Sequence, residues 1–118
     1  TQIRGRGNST WGAPKKPYRL KLVTSASLLG IPADRDFTLL ANYWDLTLLR
    51  NALAFELGAR MSAIEWTPRC RSVELILNGS PQGAYQLCDH VEVSSARVRA
   101  TSAGWFLEVV NLPRVEPS

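Results

Sequence analysis

Residues 70–93, CRSVELILNGSPQGAYQLCDHVEV, decide the fold of this 118-residue chain. Two runs of apolar and β-branched residues flank a turn signal over residues 78–83, which begins with Asn78-Gly79. This pattern predicts an antiparallel hairpin with strands near 70–77 and 84–93. Because a lone hairpin is at best marginally stable in water, other segments of the chain must complete the sheet.

The predicted hairpin brings the two cysteines of the chain, Cys70 and Cys88, close to opposite positions, although not in ideal register. A cross-strand disulfide and two buried free thiols are both compatible with this arrangement. Their spacing matches no metal-binding motif. The sequence therefore leaves the redox state of the pair open.

Residues 18–23, YRLKLV, alternate between apolar and cationic side chains, with Arg19 and Lys21 on one face. This alternation predicts a half-buried strand. Residues 104–110, GWFLEVV, predict a last strand. Residues 24–38 contain Gly30 and Pro32 and predict a loop.

Apolar residues recur at helical spacing from Leu46 to Arg60, and Asp45 precedes them as an N-cap. The predicted fold is therefore α+β: a twisted antiparallel sheet with one main helix, 45–60, packed on a face. The strands of this sheet are those near 18–23, 70–77, 84–93 and 104–110. Residues 113–118 include two prolines and predict a flexible tail.

The net charge of +4 is concentrated at the start of the chain. Residues 1–22 contain six cationic side chains and no acidic one. Such a cluster favours an anionic ligand, although a solvated basic edge would look the same. Nucleic acid is not expected as the partner, because the cations lie in one loop and strand rather than over an aromatic-rich face. No apolar run is long enough to suggest a membrane span.

The basic cluster includes a glycine-rich segment, residues 4–10, RGRGNST. Glycines let backbone N–H groups approach phosphate oxygens closely, and arginines neutralise the phosphate charge. The spacing is neither that of a Walker A motif nor that of the standard kinase glycine loop, so a plain basic turn is an alternative. The candidate phosphate contacts in this segment are Arg4, Gly5, Arg6, Gly7, Asn8 and Ser9.

Five segments of the chain together resemble the spore-coat CotH kinase-like family. RGRGNSTW (4–11) is similar to its Arg-Gly-x-Gly-Asn-Ser-Thr-Trp run, and PKKPYR (14–19) to the segment that follows. Residues 27–58 resemble its leucine-glycine loop, its Leu-Leu-Ala-Asn-Tyr segment and its Leu-Arg-Asn helix. Residues 67–87 resemble its Thr-Pro-Arg hairpin, and 104–110 its Gly-Tyr-Leu-Leu-Glu-x-Asp strand. The resemblance covers nearly the whole chain.

The resemblance implies an atypical protein kinase that transfers phosphate from ATP, with a divalent metal such as Mg²⁺, to Ser or Thr. It implies secreted or coat proteins as substrates, and an extracellular, cell-surface or coat location. Residues 1–112 would be the N-terminal portion of the kinase-like domain, similar to a kinase N-lobe, with a C-terminal lobe as its partner.

In a kinase, a strand lysine grips the nucleotide phosphates and a helix carboxylate holds that lysine in place. Lys21 is the best strand cation for this role, and Glu56 is the carboxylate inside the predicted helix. The resemblance therefore implies a Lys21–Glu56 pair. A solvated strand face and a surface helix residue are the alternative.

The sequence departs from the family pattern at Val110, where the family carries an acidic residue. Phosphoryl transfer needs carboxylates for the metal and for the acceptor hydroxyl, and in this family they are expected beyond the segment given. We therefore expect no catalytic residue in this chain and leave the metal ligands unassigned. The alternative function is a degenerate, non-catalytic interaction domain of a surface or secreted protein.

Overall fold

A computed structural model of the chain describes residues 1–101 and 103–107. Five strands form one antiparallel sheet in the order β1-β2-β3-β5-β4. The strands and the helix are β1 Gln2–Gly5, β2 Tyr18–Leu28, β3 Ile31–Leu40, α1 Arg50–Arg60, β4 Cys70–Leu77 and β5 Ser80–Asp89, and a 3₁₀ turn covers Ser9–Gly12. The predicted α+β class with an antiparallel sheet is confirmed.

The predicted hairpin is formed by β4 and β5, but its turn is shorter than expected. Asn78 and Gly79 have φ angles of 50° and 78°, as a two-residue hairpin turn of the mirror-image type requires. The second strand therefore starts at Ser80 rather than at residue 84, and it ends at Asp89. A register shift near Gly83, which has φ 80°, absorbs the extra residue as a bulge.

The prediction of a loop over residues 24–38 is wrong. β2 continues to Leu28, and β3 begins at Ile31. Leu29 and Gly30 have φ angles of 50° and 78°, so they make the same kind of tight turn as Asn78 and Gly79. A leucine at positive φ is uncommon, and small polar residues replace the apolar alternation in 24–27, which is why the strand was not predicted.

Both ends of the described chain also differ from the sequence prediction. The start of the glycine-rich segment is the edge strand β1, which pairs with β2. The strand predicted over 104–110 is not seen in residues 104–107. Residues 108–110 and the predicted tail, 113–118, lie outside the described residues.

The apolar face of the sheet carries the hydrophobic core. Its buried residues come from β3 and β5 and from the chain just after β3, and they are Ile31, Phe37, Leu39, Ala41, Tyr85 and Leu87. Tyr18, Leu20 and Leu22 of β2 pack against them. Burying one such large side chain contributes roughly 1.5–3 kcal/mol. The cationic residues Arg19 and Lys21 are thereby directed to the opposite face, as their alternation predicted.

Helix α1 begins at Arg50, later than the predicted start near Asp45. Asp45 nevertheless stabilises its first turn, because the Asp45 carboxylate accepts the Arg50 backbone N–H at 2.9 Å. The helix is partly buried along Ala52, Phe55 and Gly58. Its leucines remain exposed, and the helix makes no extensive contact with any strand of the described residues, so the prediction of a helix packed on a face of the sheet is not confirmed. In the described part of the chain, no helix is long and apolar enough to cross a membrane.

Candidate functional site

A row of polar side chains crosses all five strands on the face opposite the core. The strand registers place Arg4 opposite Arg19, Arg19 opposite Thr38, Thr38 opposite Cys88, and Cys88 opposite Cys70. Directly opposed residues of neighbouring strands project to the same face of a sheet. We call these five residues the polar row. It is cationic at the β1 edge and ends in two thiols at the β4 edge.

A cavity of about 540 Å³ lies over the β5 side of the polar row. We call it the polar-face cavity. Its polar lining includes Arg6, Thr38, Cys88, Asp89 and His90, and its apolar lining comes from Leu40, Phe55, Pro68, Val91, Phe106 and Leu107. Four of these lining residues, 88–91, follow one another along the chain at the end of β5 and just after it.

His90 is held neutral in the polar-face cavity. Its Nδ1 atom lies 3.2 Å from the Thr38 hydroxyl. Burial, and then the positive charges of Arg19 and Arg6, lower the pKa of His90 to about 4. At neutral pH this side chain therefore offers one hydrogen-bond donor and one acceptor and no charge.

Arg6 connects the polar-face cavity to a second cavity of about 300 Å³, since it lines both. This second cavity, the helix-end cavity, lies between the basic segment and the start of α1. Lys15 adds positive charge to its wall, Arg50 is paired there with Asp45, and Tyr43 and Trp44 add aromatic surface. Arg6 is thus the residue of the glycine-rich segment that borders both cavities, and Thr10 also lines the helix-end cavity.

The β1 edge of the polar row forms a basic groove. Arg4, Arg19 and Lys21 line it together. Arg19 makes an ion pair with Asp36, with Nη2 2.7 Å from Oδ1. Asp36 also lies directly opposite Lys21 in the strand register. The strand cations predicted from the sequence are therefore on one face, and Asp36 is the carboxylate that β3 supplies there.

Packing and backbone conformation require glycine at both glycine positions of the predicted phosphate-binding segment. A Cβ atom at Gly5 would lie 2.2 Å from the Trp11 ring, so this ring packs directly on the glycine. Gly7 has φ 97°, and a Cβ there would lie 2.2 Å from the Thr10 hydroxyl. Both positions exclude larger side chains whether or not a phosphate binds.

Asn8 and Ser9 start the 3₁₀ turn and are exposed. The Asn8 carbonyl accepts the Trp11 backbone N–H at 3.1 Å. The structure therefore brings Arg6 to the cavities, Arg4 and Lys21 to the basic groove, and Asn8 and Ser9 to an exposed turn.

Glu56 lies apart from the other predicted site residues. It is exposed on α1 and pairs with Arg60 one helical turn later, at 2.6 Å. Among the described residues, no ion pair joins Glu56 to Lys21. The pairing expected from a kinase-like arrangement is thus not formed.

Sequence reasoning missed a buried cluster around Arg97, whose side chain is 0% exposed. Its guanidinium contacts the carboxylates of Asp34, Asp89 and Glu92 and the backbone carbonyls of Asp36 and His90. This cluster anchors the chain after β5 to the sheet and positions His90 at the cavity. No local sequence signal marks an arginine in an irregular segment as buried.

In residues 1–101 and 103–107, no group of three or more His, Cys, Asp or Glu side chains is arranged to hold a metal ion. The described part of the site is defined instead by cations, apolar walls and a neutral histidine.

A comparison of the chain with known protein families identifies the family to which it belongs. Residues 3–111 match the family model described as CotH kinase protein. The match covers most of the chain, and the chain therefore belongs to the CotH kinase family. No curated protein matches the chain.

Proposed function

We propose that this chain is the nucleotide-binding part of a CotH-like atypical protein kinase, and that ATP binds on the polar face of the sheet. The observation that carries the proposal is the polar-face cavity, which has apolar walls and a cationic border at Arg6. Nucleotides need this combination, because the base is flat and apolar on its faces and the phosphates are strongly anionic.

The dimensions of the polar-face cavity support this proposal. Its volume of about 540 Å³ lies within the roughly 300–1,000 Å³ typical of small-molecule sites. Phe55 and Phe106 would flank the base, and the neutral His90 would supply a hydrogen bond to its edge. Phosphates extending toward β1 would meet Arg6 first.

The remaining predicted contacts keep their roles as part of this proposal. Arg4 and Lys21 would extend the positive charge beyond Arg6, and the backbone of Gly5–Ser9 would face the phosphates. The exception is Glu56. We propose Asp36 instead as the carboxylate beside Lys21, because the two residues are directly opposed on the neighbouring strands β2 and β3. Bound ATP would supply the phosphoryl group, and Mg²⁺ is assigned no ligand among the described residues.

Membership of the CotH kinase family supports a wider proposal about the complete domain. That domain would phosphorylate Ser or Thr on secreted or coat proteins, at the cell surface, outside the cell or in the spore coat. Its C-terminal lobe would contribute the catalytic and metal-binding carboxylates, so we propose nucleotide binding and no catalysis for residues 1–112.

A thermal melt with and without ATP and Mg²⁺ tests the proposal. A ligand that binds only the folded state at 100 times its Kd stabilises that state by about 2.7 kcal/mol, so the midpoint must rise. We expect this rise for the wild-type chain and a much smaller rise for Arg6→Ala. Arg99→Ala is the matched control, because Arg99 is exposed and lines neither cavity.

Inorganic triphosphate separates a nucleotide site from a merely basic surface. We expect ATP to raise the midpoint more than triphosphate at the same concentration and ionic strength, because only ATP fills the apolar end of the cavity. Equal shifts for the two ligands, or no shift with ATP, would contradict the proposal.

The second candidate is a non-catalytic interaction domain that keeps the fold of the family. The pairing of Glu56 with Arg60 instead of Lys21 favours it, as does Val110 at a position that is acidic in the family pattern. A cooperative melt that ATP and Mg²⁺ leave unchanged is the result this candidate predicts.

A further inference from the structure

Cys70 and Cys88 lie directly opposite each other in neighbouring strands, β4 and β5. The adjacent pair, Arg69 and Asp89, is joined by a hydrogen bond from the Asp89 backbone N–H to the Arg69 carbonyl at 3.1 Å. Hydrogen-bonded and non-hydrogen-bonded pairs alternate along an antiparallel ladder. The cysteines therefore occupy a non-hydrogen-bonded position, where the side chains of opposite residues come closest.

The backbone distance at such a position suits a disulfide. Cα atoms of a non-hydrogen-bonded pair are about 4.5 Å apart, and disulfides span Cα distances of about 4.4–6.8 Å. Both cysteines are present as thiols in the structure. Burial raises the pKa of both thiols, to about 12 for Cys88, and each thiol also perturbs the pKa of the other. Because the two residues are directly opposed, their side chains lie side by side on the polar face of the sheet.

We propose that Cys70 and Cys88 are a modification site, where a small-molecule disulfide such as oxidised glutathione closes a cross-strand bond between β4 and β5. The bond would tie the edge strand β4 to its neighbour β5 beneath the polar-face cavity, which Cys88 lines. This inference is independent of nucleotide binding.

The exposure of the two residues sets the order of the reaction. Cys70 is half-buried, whereas Cys88 is only 2% exposed. The Cys70 thiolate attacks oxidised glutathione, forming a mixed disulfide and releasing one glutathione thiol. The Cys88 thiol then loses its proton, which its raised pKa disfavours near neutral pH, and attacks the Cys70 sulfur with release of the second glutathione thiol. The two protein thiols lose two electrons and two protons, and one oxidised glutathione becomes two reduced molecules.

Incubation of the native chain with excess oxidised glutathione, followed by intact-mass measurement and thiol counting, tests the proposal. We expect the wild-type chain to lose both free thiols, retain no glutathione and form no disulfide-linked dimer. Cys88→Ser should stop at the mixed disulfide and carry one glutathione on Cys70. Cys70→Ser should stay unmodified, because the remaining thiol is buried.

A melt of the oxidised chain gives a second measurement. Closing the loop between residues 70 and 88 restricts the unfolded chain, so the midpoint should rise by about 5 °C or more relative to the reduced chain. A wild-type chain that keeps both thiols, carries glutathione at the end of the reaction or forms linked dimers would overturn the proposal. So would an oxidised chain that melts below the reduced one.

Discussion

The Arg97 cluster and helix α1 use the same chemistry in opposite surroundings. Arg97 is 0% exposed, and its guanidinium lies 2.5 Å from Glu92 and 3.3 Å from Asp34. On α1, Arg60 lies 2.6 Å from Glu56, yet the two side chains are 75% and 61% exposed. Both contain a short arginine–carboxylate contact, but Arg97 is buried and shares its charge among three carboxylates, whereas Arg60 and Glu56 form a single exposed pair.

This difference determines how much each set of ion pairs contributes to the free energy of unfolding. Removing one member of a buried ion cluster leaves charges that neither water nor a partner stabilises. Removing one member of an exposed pair lets water take its place. The Arg97 cluster should therefore dominate the stability of the cavity wall, and the helix surface should contribute little.

The largest expected effect is that of Arg97→Ala. We expect the free energy of unfolding to fall by about 3–5 kcal/mol, because Asp34 and Glu92 lose their ion-pair partner beside a buried site, whereas Asp89 keeps its pair with Arg69. Arg99→Ala removes the same side chain two residues later from an exposed position, and it should change the value by less than about 0.5 kcal/mol. Urea denaturation of both variants measures the contrast, and similar losses for the two would contradict it.

A smaller effect should appear in the pH dependence of stability, through His90. Its folded-state pKa is lowered to about 4 from an ordinary value of 6.5. Below pH 6.5 the unfolded chain therefore binds a proton that the folded chain does not, and stability is lost as the pH falls toward 4. Between pH 6.5 and pH 4 the free energy of unfolding should fall by about 1 kcal/mol on account of His90. This value is modest because the partial exposure of the ring weakens the effect.

His90→Gln isolates this contribution, because His90 is the only histidine of the chain. Glu92 acts with the opposite sign: burial raises its pKa above 4.5, so its contribution is lost as the pH rises through that raised value. Comparing urea midpoints of the wild-type chain and His90→Gln from pH 7 to pH 4 cancels the Glu92 term. Parallel curves for the two chains would show that His90 is not held neutral.

The sheet could be predicted from the sequence where local chemistry and long-range pairing agree. Asn78-Gly79 between alternating strands specifies a hairpin by itself, and the alternation around Arg19 and Lys21 assigns their face correctly. The β2–β3 hairpin escaped prediction because its turn uses Leu29, a residue that rarely adopts positive φ. Edge strand β1 escaped because a glycine-rich basic segment is not typical of a strand.

The candidate site was less predictable, because its parts come from distant segments. The sequence indicated Arg6, but it could not show that His90, Phe55 and Phe106 face the same cavity. The burial of Arg97 depends on carboxylates from three other positions, Asp34, Asp89 and Glu92. Contacts of this kind exist only after the chain has folded.

The smallest expected effect on stability is that of removing Glu56 from its exposed pair with Arg60 on α1. Glu56→Ala should lower the free energy of unfolding by less than about 0.5 kcal/mol, the typical value for an exposed pair one helical turn apart.

The same variant tests the kinase-like pairing, since a carboxylate that holds Lys21 when ATP binds would be needed for the ligand-induced rise in midpoint. We expect the rise to persist in Glu56→Ala and to shrink in Asp36→Asn, because Asp36 lies across the sheet from Lys21 and pairs with Arg19. The reverse ranking would mean that α1 moves toward β2 in the bound state, which would make the exposed helix part of the site.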